Sequence, residues 1–177
     1  MKANPSVTEL ESQFEVLFAA IEKYFRLRGF EANTAADLTA EVFERSLQAR
    51  NGYDPRRASL KTWLFAIAHN LLVNAWKAAQ NPAAAPSAIA EELADHDPLP
   101  EERVMQVEGR QELLTALQNL DGREREVVSL KFSGRLTNRE IGGLLSISAG
   151  NVGVILYRAL KQIKADLSKG QSEVKDE

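Results

Sequence analysis

The chain has 177 residues, a net charge of −3, 44% hydrophobic residues and no cysteine. This hydrophobic fraction is typical of a folded globular protein and excludes a wholly disordered chain. The lack of cysteine excludes disulfides, thiolate metal sites and a cysteine nucleophile. The polar N-terminus does not resemble a signal peptide, and no apolar run has the length of a membrane span, so we expect a cytoplasmic protein with no membrane contact.

Charge is distributed unevenly along the chain. Residues 1–80 hold ten Lys/Arg and nine Asp/Glu, residues 81–110 hold two and seven, and residues 111–177 hold ten and nine. The acidity is therefore concentrated in the middle of the chain, between two nearly neutral ends. A nearly neutral domain can still bind DNA where its cations share one face.

Three helices are predicted within residues 6–80, which we expect to form one domain. Apolar residues recur every three or four positions from Val7 onward, and Gly29 is expected to end this first helix. Ser59 is expected to cap the third helix, which spans residues 60–79.

The second helix is expected to be capped by Asn33 or Thr34. Its predicted core positions are Leu38, Val42 and Leu47.

The rest of the chain is predicted to form a linker, a second helical domain and a tail. Residues 81–100 are rich in proline, alanine and acidic residues, as linkers are. Four helices are predicted within residues 101–168. The first spans residues 101–120, the second follows Asp121, which is an N-cap candidate, and two more come after it. Residues 169–177 are expected to be disordered. The predicted fold class is all-α, with two small helical domains.

The last two predicted helices have the spacing of a helix-turn-helix. Thr137 and Glu140 form a capping box at the start of the first, which runs to about Leu145. Ser148 is a good N-cap for the second helix. Two helices across a three-residue turn are typical of DNA-binding proteins, but an αα-hairpin inside a bundle has the same pattern.

The second helix of this pair combines an apolar stripe with exposed cations. Its predicted core positions are Val152, Leu156, Ala159, Leu160, Ile163 and Leu167. Away from this stripe lie Asn151, Arg158, Lys161 and Lys164. The cations suit contacts with DNA phosphates, although cations are also favoured near any helix C-terminus.

The sequence has no pattern typical of an enzyme. Its two histidines, His69 and His96, lie far apart in different segments, and no phosphate-binding glycine loop or nucleophile elbow is present. We therefore expect no catalytic residue, no metal and no cofactor.

Two patterns in the first domain favour binding functions. Asp37, Glu41 and Glu44 form an acidic stripe, which is either a solvated face or a docking surface for a basic helix. The basic loop from Tyr53 to Arg57 precedes a helix with interleaved cations, aromatics and amides, which suits single-stranded DNA. The alternative interpretation is that the aromatic side chains pack in the core and that the amides are ordinary solvated side chains. These helix residues are Lys61, Trp63, His69, Asn70, Asn74, Trp76 and Lys77.

Residues 10–168 resemble the extracytoplasmic-function sigma factors of bacterial RNA polymerase. The resemblance rests on three segments: AADLTAEVFERSL, YDPRRASLKTWLFAIAHNLLVNAWK, and NLDGREREVVSLKFSGRLTNREIGGLLSIS with LYRALKQIKADL. It implies a transcription initiation factor that binds core RNA polymerase, selects promoters and opens the minus-ten element, without doing chemistry itself. Residues 81–100 would then run through the polymerase active-site and RNA-exit region. An anti-sigma protein is a further partner that the resemblance implies.

The resemblance also assigns residues to three binding surfaces. The surface for core polymerase would comprise Asp37, Leu38, Glu41 and Glu44. The surface for the minus-ten element would comprise Tyr53, Asp54, Arg56, Arg57, Lys61, Trp63, His69, Asn70 and Asn74. The surface for the minus-thirty-five element would comprise Thr137, Arg139, Ser148, Asn151, Arg158 and Lys161.

The chain departs from the family pattern at several of these surfaces. Ala40 replaces a usual glutamine, His69 a common arginine, and Ser146 a usual turn glycine. Where the family usually has polar or basic side chains in the recognition helix, this chain has Asn151, Gly153, Val154 and Ile155. We therefore expect phosphate anchoring to dominate there, with more promoter discrimination by the loop from Tyr53 to Arg57.

Two other functions remain compatible with these patterns. A helix-turn-helix regulator would bind a duplex operator without polymerase, with a strong salt dependence. A helical protein-interaction module with a degenerate helix-turn-helix would direct no promoter-specific transcription.

Overall fold

A computed structural model describes residues 7–79 and 111–173. Over these ranges the chain is helical, with no strand, which confirms the predicted all-α fold. The helices are α1 (Val7–Leu27), α2 (Ala32–Ala49), α3 (Leu60–Ala79), α4 (111–118), α5 (Gly122–Gly134), α6 (Asn138–Leu145) and α7 (Ala149–Glu173), with a 3-10 turn at Arg50–Gly52.

The chain divides into two compact units, residues 1–26 with 30–93 and residues 27–29 with 94–177. The predicted linker 81–100 and the first half of the predicted helix 101–120 lie outside the described residues. No single helix of the described chain is long and apolar enough to cross a membrane. The two helices Asn138–Leu145 and Ala149–Ser168 have the length and composition of a span only when they are counted together, and they are bent by 102° relative to each other.

The core of the first unit is built from one face of each of its three helices. Aromatic rings fill much of it, and Tyr24 meets Phe65 edge to face with ring centroids 5.7 Å apart. Its fully buried side chains include Ile21, Tyr24, Phe25, Val42, Leu64, Phe65 and Leu72. Burying large apolar side chains stabilises each position by about 1.5–3 kcal/mol, so this core holds α2 and α3 in place.

Two predicted helix ends in the first unit are confirmed. The amide of Phe30 donates to the carbonyl of Phe25 at 3.2 Å, and Gly29 has a φ of +95°, which together close the C-terminus of α1. At the start of α3, the Ser59 hydroxyl accepts from the amide of Thr62 at 3.1 Å.

The predicted start and core face of α2 are partly wrong. The helix begins at Ala32 with Glu31 as N-cap, so Asn33 and Thr34 lie inside its first turn. Leu47, a predicted core residue, is 49% exposed, and Leu38 is half-buried. The buried face is instead Ala35, Thr39, Val42, Phe43 and Ser46.

Two buried hydroxyl side chains account for the difference between the predicted and the observed core face of α2. Thr39 and Ser46 are buried because their hydroxyls donate to backbone carbonyls of the same helix, at 2.6 Å and 2.7 Å. A buried hydroxyl with a hydrogen-bond partner escapes most of the desolvation cost. Polar residues therefore occupy positions at which the hydrophobic pattern predicts an apolar residue.

In the second unit, side chains of arginine and aspartate stabilise the short connection between α4 and α5. The Arg125 guanidinium donates to the carbonyls of Leu117 and Leu120 at 2.9 Å and 3.0 Å, at the end of α4 and just after it. Asp121 caps α5, as predicted, and forms a capping box with Glu124. Below this connection the core includes Val127, Leu130, Leu136, Ile141 and Val152.

Helix α7 differs from its prediction at two places. Leu160, predicted in the core, is exposed because it lies one residue beyond buried Ala159, on the flank of the helix. The predicted disorder after residue 168 is wrong up to Glu173, since α7 continues that far. Lysine, glutamine and glutamate in this stretch are good helix formers, and one glycine costs only about 1 kcal/mol. Residues 174–177 lie outside the described residues.

Candidate functional site

The acidic stripe of α2 lies on the solvent side of the first unit. Asp37 and Glu44 are exposed and Glu41 is half-buried. Glu41 is paired with Arg45, four residues further along the helix, at 2.5 Å. Glu44 accepts a hydrogen bond from the Gln48 amide at 3.1 Å. A cationic partner of this surface would compete with Arg45 for the Glu41 carboxylate.

Asp54 organises the basic loop that connects the 3-10 turn to α3. Its carboxylate accepts from the backbone amide and from the Nε of Arg56, both at 3.1 Å. Its carbonyl accepts from the Arg57 amide at 3.0 Å. These bonds close a tight turn that leaves the guanidinium groups of Arg56 and Arg57 exposed. Two cations therefore stand together at the start of α3.

The hydrogen bond from the Arg56 side chain holds the pKa of the Asp54 carboxyl below its usual value. A carboxyl whose pKa is lower in the folded chain stabilises the structure above its unfolded pKa, and the contribution disappears as the pH falls through the folded pKa. The turn is therefore closed throughout the neutral range and loosens only in acid.

Tyr53 does not present its ring to solvent. The side chain is 5% exposed, and its ring packs on that of Trp63, with centroids 4.9 Å apart and planes inclined by 41°. Trp63 is half-buried. The buried tyrosine therefore packs against the indole, and Trp63 remains partly accessible to solvent. DNA contact by Tyr53 stays a prediction.

Helix α3 brings some of the predicted residues onto one face and separates others. Asn70 and Asn74 follow Trp63 by seven and eleven residues, close to whole turns at about 3.6 residues per turn, and both are exposed. Lys77 continues the same line. His69 is rotated about 100° from Asn70, and Lys61 lies on the other side of the axis from Trp63. We call Trp63, Asn70, Asn74 and Lys77 the α3 stripe.

The helix-turn-helix of the second unit has the predicted caps and a crossing typical of the motif. Its helices α6 and α7 are bent by 102° relative to each other. The Thr137 hydroxyl accepts from the Glu140 amide at 3.2 Å, and the Glu140 carboxylate accepts from the Thr137 amide at 2.7 Å. The Ser148 hydroxyl accepts from the Asn151 amide at 3.1 Å. Both predicted DNA-contacting hydroxyls therefore also serve as caps.

The turn depends on Gly142, which sequence reasoning did not single out. A Cβ on Gly142 would lie 2.5 Å from the carbonyl oxygen of Ile147, closer than real Cβ atoms come. The amide of Ile147 donates to the carbonyl of Gly142 at 2.9 Å, which closes the turn. A pair of glycines just before a predicted turn was the available signal for this close approach.

Ser146 ends α6 in the left-handed conformation, with φ 55° and ψ 43°. We expect Ser146→Gly to stabilise the second unit by about 1 kcal/mol, because a left-handed backbone is strained for residues with a Cβ. Thermal and urea unfolding of the variant would measure this. Ser146→Ala is the matched control and should not stabilise; equal stabilisation by both variants would contradict the explanation.

Lys131 is a second residue that the sequence did not mark. Its ammonium donates to the carbonyl of Leu136 and to the side-chain oxygen of Asn138, both at 3.1 Å. These bonds connect α5 to the first turn of α6 and so help to orient the helix-turn-helix.

The outer surface of the helix-turn-helix carries the predicted cations together with apolar side chains. Arg139, Asn151, Arg158 and Lys161 are all exposed. Val154 is 48% exposed and Tyr157 is 70% exposed on the same helix. The surface thus has the cations that phosphate contacts need, together with two exposed apolar or aromatic side chains.

Comparison with known sequence families finds two matching profiles. The profile of Sigma-70 region 2 matches residues 20–81, which contain α2, the Asp54 turn and α3. The profile of Sigma-70, region 4 matches residues 110–163, which contain α6 and the first part of α7.

Several curated proteins with similar sequences are RNA polymerase sigma factors. The chain is 31% identical over 143 residues to the ECF RNA polymerase sigma factor ShbA of Streptomyces griseus, covering 79% of this chain and 75% of ShbA. It is 25% identical over 175 residues to the RNA polymerase sigma factor YlaC of Bacillus subtilis, covering 98% of both. It is 26% identical over 140 residues to the ECF sigma factor BldN of Streptomyces coelicolor, and spans about half (52%) of that protein.

Two solved structures share the fold. The sigma factor RpoE in complex with the anti-sigma factor NepR from Bartonella quintana has a TM-score of 0.64 at 16% identity, covering 92% of this chain and 98% of RpoE. CnrH in complex with the cytosolic domain of CnrY has a TM-score of 0.61 at 18% identity, covering 92% of this chain and 86% of CnrH. Together with both profiles and the identity to ShbA, these findings show that the chain belongs to the ECF family of RNA polymerase sigma factors.

Proposed function

We propose that this protein binds core RNA polymerase through α2, directs it to specific promoters and opens the minus-ten element there. The observation that supports this most is the α3 stripe directly behind the Asp54 turn. An aromatic side chain, two exposed amides and Lys77 lie along one side of α3, and Arg56 and Arg57 are exposed in the turn before it. A regulator that binds only duplex DNA has no use for such a surface.

The acidic stripe of α2 provides the contact with polymerase. Three carboxylates at helical spacing suit a basic helix, and charge complementarity of this kind sets the register and the association rate of a complex. Leu38 is half-buried beside them and adds apolar area at the edge. Residues Asp37, Leu38, Glu41 and Glu44 thus form the proposed interface with core polymerase.

Strand opening is the task of the Asp54 turn and the α3 stripe. Extruding a base from a duplex costs a few kcal/mol, which stacking and pocket contacts offset. Arg56 and Arg57 would follow the phosphates of the displaced strand, while Trp63 stacks and the asparagines hydrogen-bond to base edges. The buried Tyr53 keeps Trp63 in position. Lys61 and His69 lie off this stripe and would contact flanking phosphates.

The helix-turn-helix would hold the minus-thirty-five element, with Arg139, Arg158 and Lys161 on phosphates. This protein makes and breaks no bond, because RNA polymerase supplies the catalysis. Transcription initiation by the complex takes place in the cytoplasm. An anti-sigma protein is a further proposed partner, because both solved relatives were captured with partners, RpoE with the anti-sigma factor NepR and CnrH with the cytosolic domain of CnrY.

Run-off transcription with core polymerase on a randomised promoter library tests the proposal directly. We expect initiation at a defined subset of promoters only when this protein is added. Absence of core binding in a pull-down would contradict the proposal. Tight, salt-dependent binding to a duplex without polymerase would instead indicate a polymerase-independent regulator. Initiation with no promoter preference would contradict the role in promoter choice.

The role of the α3 stripe has its own test, the double variant Asn70→Ala and Asn74→Ala. Both side chains are exposed, so the variant should fold. We expect about a tenfold loss of initiation on duplex promoters, because each lost hydrogen bond to a base costs about 0.5–1.5 kcal/mol and about 1.4 kcal/mol is a factor of ten. Templates already unpaired over the minus-ten element should restore most of the activity.

Asn33→Ala is the matched control for this test, since Asn33 is an exposed asparagine in α2. It should initiate as the parent does on both templates. An Asn70/Asn74 variant that is equally defective on duplex and unpaired templates would place the defect outside strand opening.

A further inference from the structure

The recognition helix α7 has two opposite faces with the same residue spacing. Its buried stripe is Val152, Leu156, Ala159 and Ile163. Two residues before each of these come Gly150, Val154, Tyr157 and Lys161, all exposed. A shift of two residues is a rotation of about 200°, so the second set lies opposite the core. We call it the outer face of α7.

The outer face is apolar where it is best placed to meet base edges. The first turns of a recognition helix enter the major groove, and here they present Val154 and Tyr157, 48% and 70% exposed. Among the groups that base pairs expose in the major groove, the thymine 5-methyl group is the apolar one. A valine side chain and the edge of a tyrosine ring match that methyl group better than any base donor or acceptor.

Gly150 adds an independent observation to the outer face. A Cβ at this position would meet only the Ser148 hydroxyl, at 3.9 Å, so the fold itself leaves space for a side chain. Alanine would also favour the helix. Without a side chain at this position, the backbone at the start of α7 can approach a ligand closely.

Charge identifies the occupant of this face as duplex DNA. Arg158, Lys161 and Lys164 are exposed around the apolar residues. Among the α7 residues whose side chains the structure describes, Asp166 is the acidic one. Its carboxylate accepts a hydrogen bond from the Asn119 side chain at 3.2 Å. An apolar strip inside a cationic border suits a groove between two phosphate backbones, and repels a basic protein surface.

We propose that Val154 and Tyr157 read the upstream promoter element through contacts with thymine 5-methyl groups, while Arg158 and Lys161 hold the flanking phosphates. This inference rests on the proposed sigma function. Gly150 allows the start of α7 to approach the groove closely. Specificity at this element then comes from methyl groups, and hydrogen bonds to bases contribute little.

The test uses holoenzyme, assembled from core polymerase and this protein, on the promoter recovered most often from the randomised library. Each thymine of the upstream element is replaced singly by deoxyuridine, which removes the methyl group and keeps every hydrogen-bonding group. We expect one or two positions at which promoter affinity falls about fourfold, the value of one buried methyl group. At those positions Val154→Ala or Tyr157→Ala holoenzyme should bind the thymine and deoxyuridine promoters equally.

Leu160→Ala is the matched control, because Leu160 is an exposed apolar residue of α7 away from the outer face. Its holoenzyme should keep the full sensitivity to deoxyuridine. Gly150→Ala should raise the Tm and lower promoter affinity; a more stable variant with unchanged affinity would contradict the close approach.

The outcomes separate this inference from the function on which it rests. Holoenzyme that initiates at no defined promoter would contradict the sigma function itself. Holoenzyme that depends on the upstream element but ignores deoxyuridine at every position would overturn the methyl readout. Val154→Ala and Tyr157→Ala variants that bind all templates like the parent would also overturn it.

Discussion

Replacing Gly142 by alanine should destabilise the second unit by about 2–3 kcal/mol, because the new Cβ would lie 2.5 Å from the backbone oxygen of Ile147. Backbone on both sides of the contact must move, and the hydrogen bond from Ile147 to Gly142 closes the same turn. The expected result is a lower midpoint in urea and loss of minus-thirty-five-dependent initiation.

The neighbouring Gly143 provides the matched control. A Cβ there has nothing within 4 Å and the residue is exposed. Gly143→Ala should therefore stabilise α6 by up to about 1 kcal/mol, as alanine does in a helix interior. The two adjacent substitutions thus have opposite expected signs. Equal effects from both would show that the turn tolerates the Cβ of residue 142.

Reversing the charges of Asp37 and Glu41 to lysine should weaken binding to core RNA polymerase by at least about tenfold. Like charges facing each other across an interface cost several kcal/mol, and each 1.4 kcal/mol is a factor of ten. The loss should shrink at high salt, since exposed charges are screened. Titration of labelled protein with core polymerase at two salt concentrations measures both effects.

The control for this pair is the reversal of Glu15 and Glu22, which lie seven residues apart on α1 in the same unit. It changes the net charge by the same amount and should leave core binding within about twofold of the parent. If both pairs weaken binding equally, net charge rather than the α2 stripe controls association. If neither does, the acidic stripe is a solvated face.

Arg45 would have to release Glu41 before this carboxylate binds a cation of core polymerase. Its guanidinium pairs with Glu41 at 2.5 Å in the free protein. An exposed pair of this kind contributes little to stability, so exchanging it for a polymerase contact is inexpensive. The i, i+4 spacing of Glu41 and Arg45 is itself a sequence signal for this pair.

Most helix caps were predicted from sequence, and the exception is α2, in which Asn33 and Thr34 lie inside the first turn. Asp121, Thr137 and Ser148 each cap the helix they were expected to cap, and Gly29 ends α1. A cap needs only a side chain and the amides two or three residues away, so a short stretch of sequence contains all the atoms involved. The order of the helices and the helix-turn-helix follow from such local signals together with the apolar periodicity.

Burial of individual residues was predicted less well. Leu47 and Leu160 match the apolar period of their helices but are exposed, whereas Thr39 and Ser46 are buried with hydrogen-bonded hydroxyls. The period identifies a face only to within about one residue on either side. Which neighbour is covered depends on the shape of the packed helices, and that is a property of the tertiary structure.

The candidate binding surfaces divide in the same way. Sequence by itself determined the residue types, their helical spacing and the family resemblance, because these depend on order along the chain. Only the tertiary structure placed the Tyr53 ring against that of Trp63 and buried Thr39 and Ser46 in the core of the first unit. These are contacts and orientations in space, set by how side chains pack around a core, and no pattern in the sequence specifies them.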